Sequence, residues 1–166
     1  MFEESVLGVD PGLAATGVAV LCRERARPTV VWAGTIETPP ALAESARLRR
    51  LHERVEAVLA EHAVGCLALE QVMWGRNVGS AMKVARATGV VMLAAEEAGV
   101  PIEEYAPLEV KMAVTGVGNA SKAQLRTALE RVHLVDGIPA DPNAADAVAV
   151  ALCHLQQSRM RSVARS

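Results

Sequence analysis

The chain is short of aromatic residues, with two Trp, one Tyr and one Phe among 166. Ring stacking therefore cannot build the core. Hydrophobic residues make up 51% of the chain and are mainly Ala, Val and Leu. That composition fits small-residue helices packed closely on a sheet and excludes disorder, which needs low hydrophobicity and high net charge. Cysteine is also scarce. Cys22, Cys66 and Cys153 are odd in number, widely spaced and without a Cys-x-x-Cys pair, so they read as reduced thiols filling the core of a cytoplasmic protein. No unbroken apolar run reaches the roughly 20 residues of a membrane span. Met1-Phe2-Glu3-Glu4 is acidic where a signal peptide is basic, and no membrane association is expected. Positive charge is not in excess either. With 17 Lys and Arg against 19 Asp and Glu the net charge is −2, so a nucleic-acid partner has to be sought in the distribution of charge. There is no internal repeat and no dividing linker, and the length suits one domain. That domain is expected over residues 1–157. A basic, mobile tail follows at 158–166, carrying Arg159, Arg161 and Arg165.

What is present is a set of acids at the ends of apolar runs. Val6 to Val9 lead into Asp10, and Pro11-Gly12 turns the chain into a second run, Thr16 to Leu21. Such a run, bounded by Pro-Gly, reads as a buried strand with its acid at the strand end. Glu70 ends the run Cys66-Leu67-Ala68-Leu69, and Asp146 opens Ala147 to Leu152. Singly, each acid has a structural explanation: a turn, a solvated strand end, or a capping box of Asn143 with Asp146 at N3. Brought together they would repel unless a cation lay between them, which points to a hard-metal site.

The remaining pattern orders the elements. Residues 29–38 read as a third strand ended by Pro39-Pro40, and 44–62 follow a helical period. A strand at 66–70, a helix at 77–98 and a short strand at 102–105 follow, then helices near 108–114 and 122–133 and a last one from 143 to about 157. Hairpins make the first three strands antiparallel, while helical crossovers make the later ones parallel to the first. The expectation is an α/β fold, a mixed five-stranded sheet with helices on both faces, whose ligand edge lies at the ends of strands one and four.

The stretches Leu7-Gly8-Val9-Asp10-Pro11-Gly12, Leu69-Glu70-Gln71-Val72 and Ala144-Ala145-Asp146-Ala147 resemble the signature segments of the RuvC family of Holliday-junction resolvases. Tyr105-Ala106 with Val110-Lys111 does so too, as does Gly116-Val117-Gly118 with Ser121-Lys122. The match runs nearly end to end. It implies a ribonuclease-H-like nuclease domain, a homodimer, and metal-dependent paired nicking of four-way DNA junctions in recombination and repair. It also implies a branch-migration helicase complex as partner. Asp10 would bridge two Mg²⁺ or Mn²⁺ ions, with Glu70 on one and Asp146 on the other. Such ions take oxygen ligands, so no His or Cys is needed, and His154 is expected outside the site. The chain departs from the pattern at Asn143, where relatives carry Asp or His. An amide oxygen can ligate but adds no charge, so a weaker second metal site is expected.

For the DNA, the resemblance places Lys111 and Lys122 near the scissile phosphate and makes Lys122 catalytic. Lys122 follows the loop Gly116 to Ser121, where helix N–H groups favour a phosphate, although Ser121 with Gln124 also makes a plain capping box. Arg76 and Lys83 are candidate DNA contacts, with a solvated surface as the alternative. Relatives carry an aromatic at Met73 to stack on an unpaired base, and Trp74 stands one step away as a substitute platform. Val78, Ala81, Met82, Ala85, Gly89 and Met92 share one side of their helix, either as core or, as in the family, as a dimer contact. Two other functions stay open: an ATPase or sugar-kinase-like phosphate-binding domain, and a junction-binding module inactivated through Asn143. ATP binding would mark the first, and junction binding without cutting the second.

Overall fold

The computed structural model describes residues 5–24, 27–75 and 77–164, with the side chains of Glu24 and of residues 159–164 left out. The strands are β1 (Ser5–Asp10), β2 (Ala15–Glu24), β3 (Arg27–Glu37), β4 (Cys66–Glu70) and β5 (Ile102–Tyr105). They form one sheet in the order β3-β2-β1-β4-β5. β1 is antiparallel to β2 and parallel to β4, β2 and β3 are antiparallel, and β4 and β5 are parallel. The expected mixed sheet with helices on both faces is what the chain adopts. α1 (Glu44–Glu61) and α2 (Val78–Glu97) cover one face. α5 (Pro142–Ala164) covers the other with α3 (Pro107–Thr115) beside it, and α4 (Lys122–Thr127) leads into a π-helical turn at Ala128–Val132.

Strand alternation decides which side chains reach which face. Leu7 and Val9 pack under α1 and α2, while Val6 lies in the α5 core and Gly8 meets the α5 backbone. Asp10, next in that alternation, continues on the α5 side. β4 repeats the pattern, with Leu67 and Leu69 on one face, Ala68 on the other and Glu70 after it. All three cysteines are buried and free.

α5 lies unusually close to the sheet. A Cβ on Gly8 would stand 2.8 Å from the N and Cβ of Ala151 and nearer still to the carbonyl oxygen of Ala147. One on Gly17 would run into the carbonyl of Asn143. Ala144, Ala147, Ala149 and Ala151 are fully buried on this helix. Small side chains on both partners are what allow the approach.

Two expectations need correction. The final helix begins at Pro142 and runs to Ala164, beyond the expected end near residue 157. The helix expected over 122–133 changes to π-helical bonding from Ala128 onward. α2 is a 20-residue helix whose apolar sequence is interrupted by Lys83 and Arg86. Its Ala87, Val91, Ala94 and Ala95 pack in the core, while Val78, Met82, Ala85, Gly89 and Met92 stay exposed and Ala81 is buried. α1 and α2 are joined by the ion pair of Arg86 with Glu44 and by a hydrogen bond between His52 Nε2 and Glu97 Oε2 at 2.7 Å.

Candidate active site

β1 and β4 end at the same sheet edge, and the pair Val9 and Leu69 is the last of their parallel register. Asp10 and Glu70 therefore follow as neighbours on adjacent strands, close enough for their carboxyl groups to share a hydrogen bond. Burial pushes Glu70 up to about 8, with the Asp10 charge, the shared hydrogen bond and Asp146 adding to the rise and Lys111 opposing it. Asp10 is also raised, by burial and by Asp146, against the lowering effects of Glu70's hydrogen bond and of Lys122. Two carboxylates pressed together in a half-buried cleft hold a proton that either alone would lose. The turn after Asp10 is fastened from within: the fully buried Thr16 hydroxyl donates to the Gly12 carbonyl at 2.6 Å and accepts from the Gly12 N–H at 3.2 Å.

Asp146 comes from the first turns of α5, and Lys122 Nζ lies 2.9 Å from its Oδ2. That bond and the neighbouring acids raise the Lys122 pKa. Asp10, Glu70, Asp146, Lys111 and Lys122 line one cavity of about 510 Å³. Carboxylate oxygens on its floor suit a hard cation, and ammonium groups on its wall suit a phosphate.

The start of α5 differs from the expected capping box. Asp141 is the cap: its Oδ1 accepts the Asn143 N–H at 3.1 Å, and its carbonyl accepts the Ala145 N–H at 3.0 Å. Its Oδ2 accepts the Thr35 hydroxyl of β3. Pro142 then occupies the first helical position, where a missing N–H costs nothing. Asn143 is one residue inside the helix, on the same side as Asp146, and no hydrogen bond to its side-chain amide occurs among the described residues. It is not the helix cap. The Asp-Pro dipeptide was the available signal for this arrangement, and Asn143 with Asp146 imitated a different one.

The sequence profile of the family "Crossover junction endodeoxyribonuclease RuvC" matches residues 6–154. The chain belongs to that family. A crossover junction endodeoxyribonuclease RuvC from Syntrophomonas wolfei is 38% identical over 97% of this chain and 94% of its own length. One from Thermotoga petrophila is 40% identical over 95% and 96%. The structure of Thermus thermophilus RuvC in complex with a Holliday junction substrate superimposes with a TM-score of 0.87, at 32% identity, over 95% of this chain and 96% of that one. The fold is ribonuclease-H-like.

The other candidate residues spread around this centre. A second cavity of about 560 Å³ adjoins the first and shares Asp10 and Glu70 with it; Gln71, Met73, Asn77 and Ser80 line it as well. Met73 thus borders the acidic pair. Trp74 is 77% exposed and lines neither cavity. Lys83 is exposed on α2 and lines neither cavity, and Arg76 lies outside the described residues. Ser121 and Gln124 form the reciprocal capping box ahead of Lys122, at 3.2 and 2.8 Å. His154 is buried, with Nδ1 2.9 Å from the Tyr105 hydroxyl, and lines neither cavity. Asp141, Thr16, Gly8 and Gly17 were missed by sequence reasoning because they act on the backbone around the acids.

Proposed function

We propose that this chain, by family a nuclease that hydrolyses phosphodiester bonds, resolves four-way DNA junctions as a homodimer by paired symmetric nicks. The observation that carries the reading is the convergence of Asp10, Glu70 and Asp146 in one cavity with Lys111 and Lys122. The donor set fits divalent Mg²⁺ or Mn²⁺: its atoms are oxygens, and the raised Asp10 and Glu70 mark a charge that a cation relieves. Asp10, Glu70, Asp146 and Asn143 would hold two such ions, which would supply an activated water and offset charge on the leaving 3′ oxygen.

The chain's own groups then have defined tasks. Lys122, with its ammonium on Asp146 and its side chain 76% exposed, can exchange that carboxylate for a phosphate oxygen. Lys111 adds a second cation to the same wall. Met73 packs against a base displaced at the crossover, Trp74 offers a stacking face beside it, and Arg76 and Lys83 contact phosphates farther out. The exposed stripe of Val78, Met82, Ala85, Gly89 and Met92 is the face for a second copy, because two symmetric cuts need a two-fold assembly. A branch-migration helicase complex is the further partner, a basic tail at 158–166 adds non-specific attraction, and the setting is cytoplasmic.

The test is cleavage of a synthetic four-way junction in Mg²⁺ and in Mn²⁺. Asp10→Asn, Glu70→Gln and Asp146→Asn should each nearly abolish nicking while junction binding stays at or above the parent level. Near-normal nicking by any one removes that residue from the site. A parent that binds junctions but cuts in neither metal is a binding module.

A further inference from the structure

We infer that the outer flank of α1 is a second DNA-backbone surface, an arginine row that carries a duplex arm of the junction away from the active site. The inference rests on the junction reading above. Arg47, Arg50 and Arg54 recur at the i, i+3, i+7 spacing of one helix side. The core side of α1 is Leu51, Val55 and Val58, and His52 reaches across to Glu97 of α2. The three arginines therefore lie on the flank turned away from α2. Among the described residues neither Arg50 nor Arg54 has an ion pair, and both are exposed.

Position ties this row to the cleft. β3 ends at the same sheet edge as β1, since Ala15 pairs with Glu37 and Asp10 with Gly17. The Thr38 hydroxyl donates to the Leu13 carbonyl, its N–H donates to the Ala14 carbonyl at 3.1 Å, and Arg47 Nε donates to the Thr38 hydroxyl at 2.9 Å. The first arginine is thus linked, through Thr38, to the turn that follows Asp10. From there the row runs about 10 Å along the helix, at 1.5 Å per residue. A DNA strand advances about 3.4 Å per phosphate along the duplex axis, so the row spans two to three phosphates.

The charge along the helix points the same way. On α1 the cations Arg47, Arg49, Arg50 and Arg54 precede Glu56 and Glu61, and on α2 Lys83 and Arg86 precede Glu96 and Glu97. Both helices start at the active-site edge. Apart from the pairs Glu44 with Arg86 and Glu53 with Arg49, α1 and α2 therefore keep their remaining cations toward their starting ends and their remaining anions at the far end, a distribution that orients a polyanion.

The experiment is the Arg50→Ala/Arg54→Ala double variant, with binding to a synthetic four-way junction followed by fluorescence anisotropy in EDTA across a salt titration. Each lost phosphate contact lowers the slope of log K against log salt by about 0.9, so the slope should fall by about 2, and affinity by about 10-fold near 0.1 M salt. Arg50→Glu/Arg54→Glu should lose more than that. Thermal unfolding and the single-turnover cleavage rate at saturating protein should match the parent, since both residues are exposed and outside the cleft. Parent-like slope and affinity in a double variant of a parent that binds and cuts junctions overturn this surface alone. A parent that neither binds nor cuts overturns the junction reading with it.

Discussion

Gly8→Ala tests whether close packing of α5 is what holds Asp146 in the cleft. The new Cβ would lie 2.8 Å from both the N and the Cβ of Ala151, and closer to the Ala147 carbonyl oxygen, where ordinary contact begins at 3.4 Å. β1 cannot retreat, because Leu7 and Val9 are fully buried on its other face and both its edges are paired. α5 has to move away instead, by the better part of an ångström, and Asp146 precedes Ala147 on it. Overpacking of this kind costs about 1–3 kcal/mol, occasionally more; against backbone atoms the upper end, about 3 kcal/mol, is expected. For a chain of this size that lowers Tm by about 6–12 °C. A displacement of about 1 Å also costs about 100-fold in rate, so single-turnover cleavage well below Tm should fall by about that factor while junction binding persists. Trimming the neighbour, in Gly8→Ala/Ala151→Gly, should recover little, because the closest clash is with a carbonyl. Parent-like cleavage in a folded Gly8→Ala protein would refute the argument, and so would full rescue by Ala151→Gly.

Lys122→Ala should slow cleavage by roughly 100-fold and weaken junction binding far less, because a cation at the scissile phosphate acts on charge that grows in the transition state; equal losses would make it a phosphate anchor. Asn143→Asp should lower the Mg²⁺ concentration needed for half-maximal cleavage more than the Mn²⁺ concentration, since an added carboxylate offsets the reluctant dehydration of Mg²⁺. An unchanged ratio of the two would remove Asn143 from the metal. Without divalent ions, stability should fall as pH rises from about 4.5 toward 8: raised carboxyl pKa values mean that the folded state holds more protons across that window, so the advantage present at low pH is lost on titration. Millimolar Mg²⁺ should flatten the fall, and a metal-free stability that rises with pH through this window would show that the pair is not strained.

Where the sequence was legible, local chemistry and long-range structure agreed. Pro11-Gly12 ended β1 at Asp10, and the alternation in Cys66-Leu67-Ala68-Leu69 ended β4 at Glu70, so two separate strand ends could be placed at one edge. The scarcity of aromatics and the richness in alanine anticipated a closely docked helix, though not that Gly8 and Gly17 are where it docks. The failures came where two local codes looked alike. Asn143 with Asp146 has capping-box spacing, yet Asp141 does the capping, because Pro142 is better suited to the first helical position than to the preceding one. The π-helical turn after Thr127 leaves no mark in hydrophobic periodicity. That turn spans Ala128–Val132.

The pairing of β1 with β4 also bears on how the nuclease comes into being. The β1-β2-β3 meander is made of local contacts and can form early, but Asp10 meets Glu70 only once a crossover of some 60 residues has closed. Asp146 comes from farther still along the chain, on an α5 that packs against Gly8 and Gly17. A partly folded chain therefore has acids but no chelate. In the proposed reading the three acids hold the metal together, so tight uptake would require the folded chain. Phosphodiester cleavage would then be confined to the finished molecule.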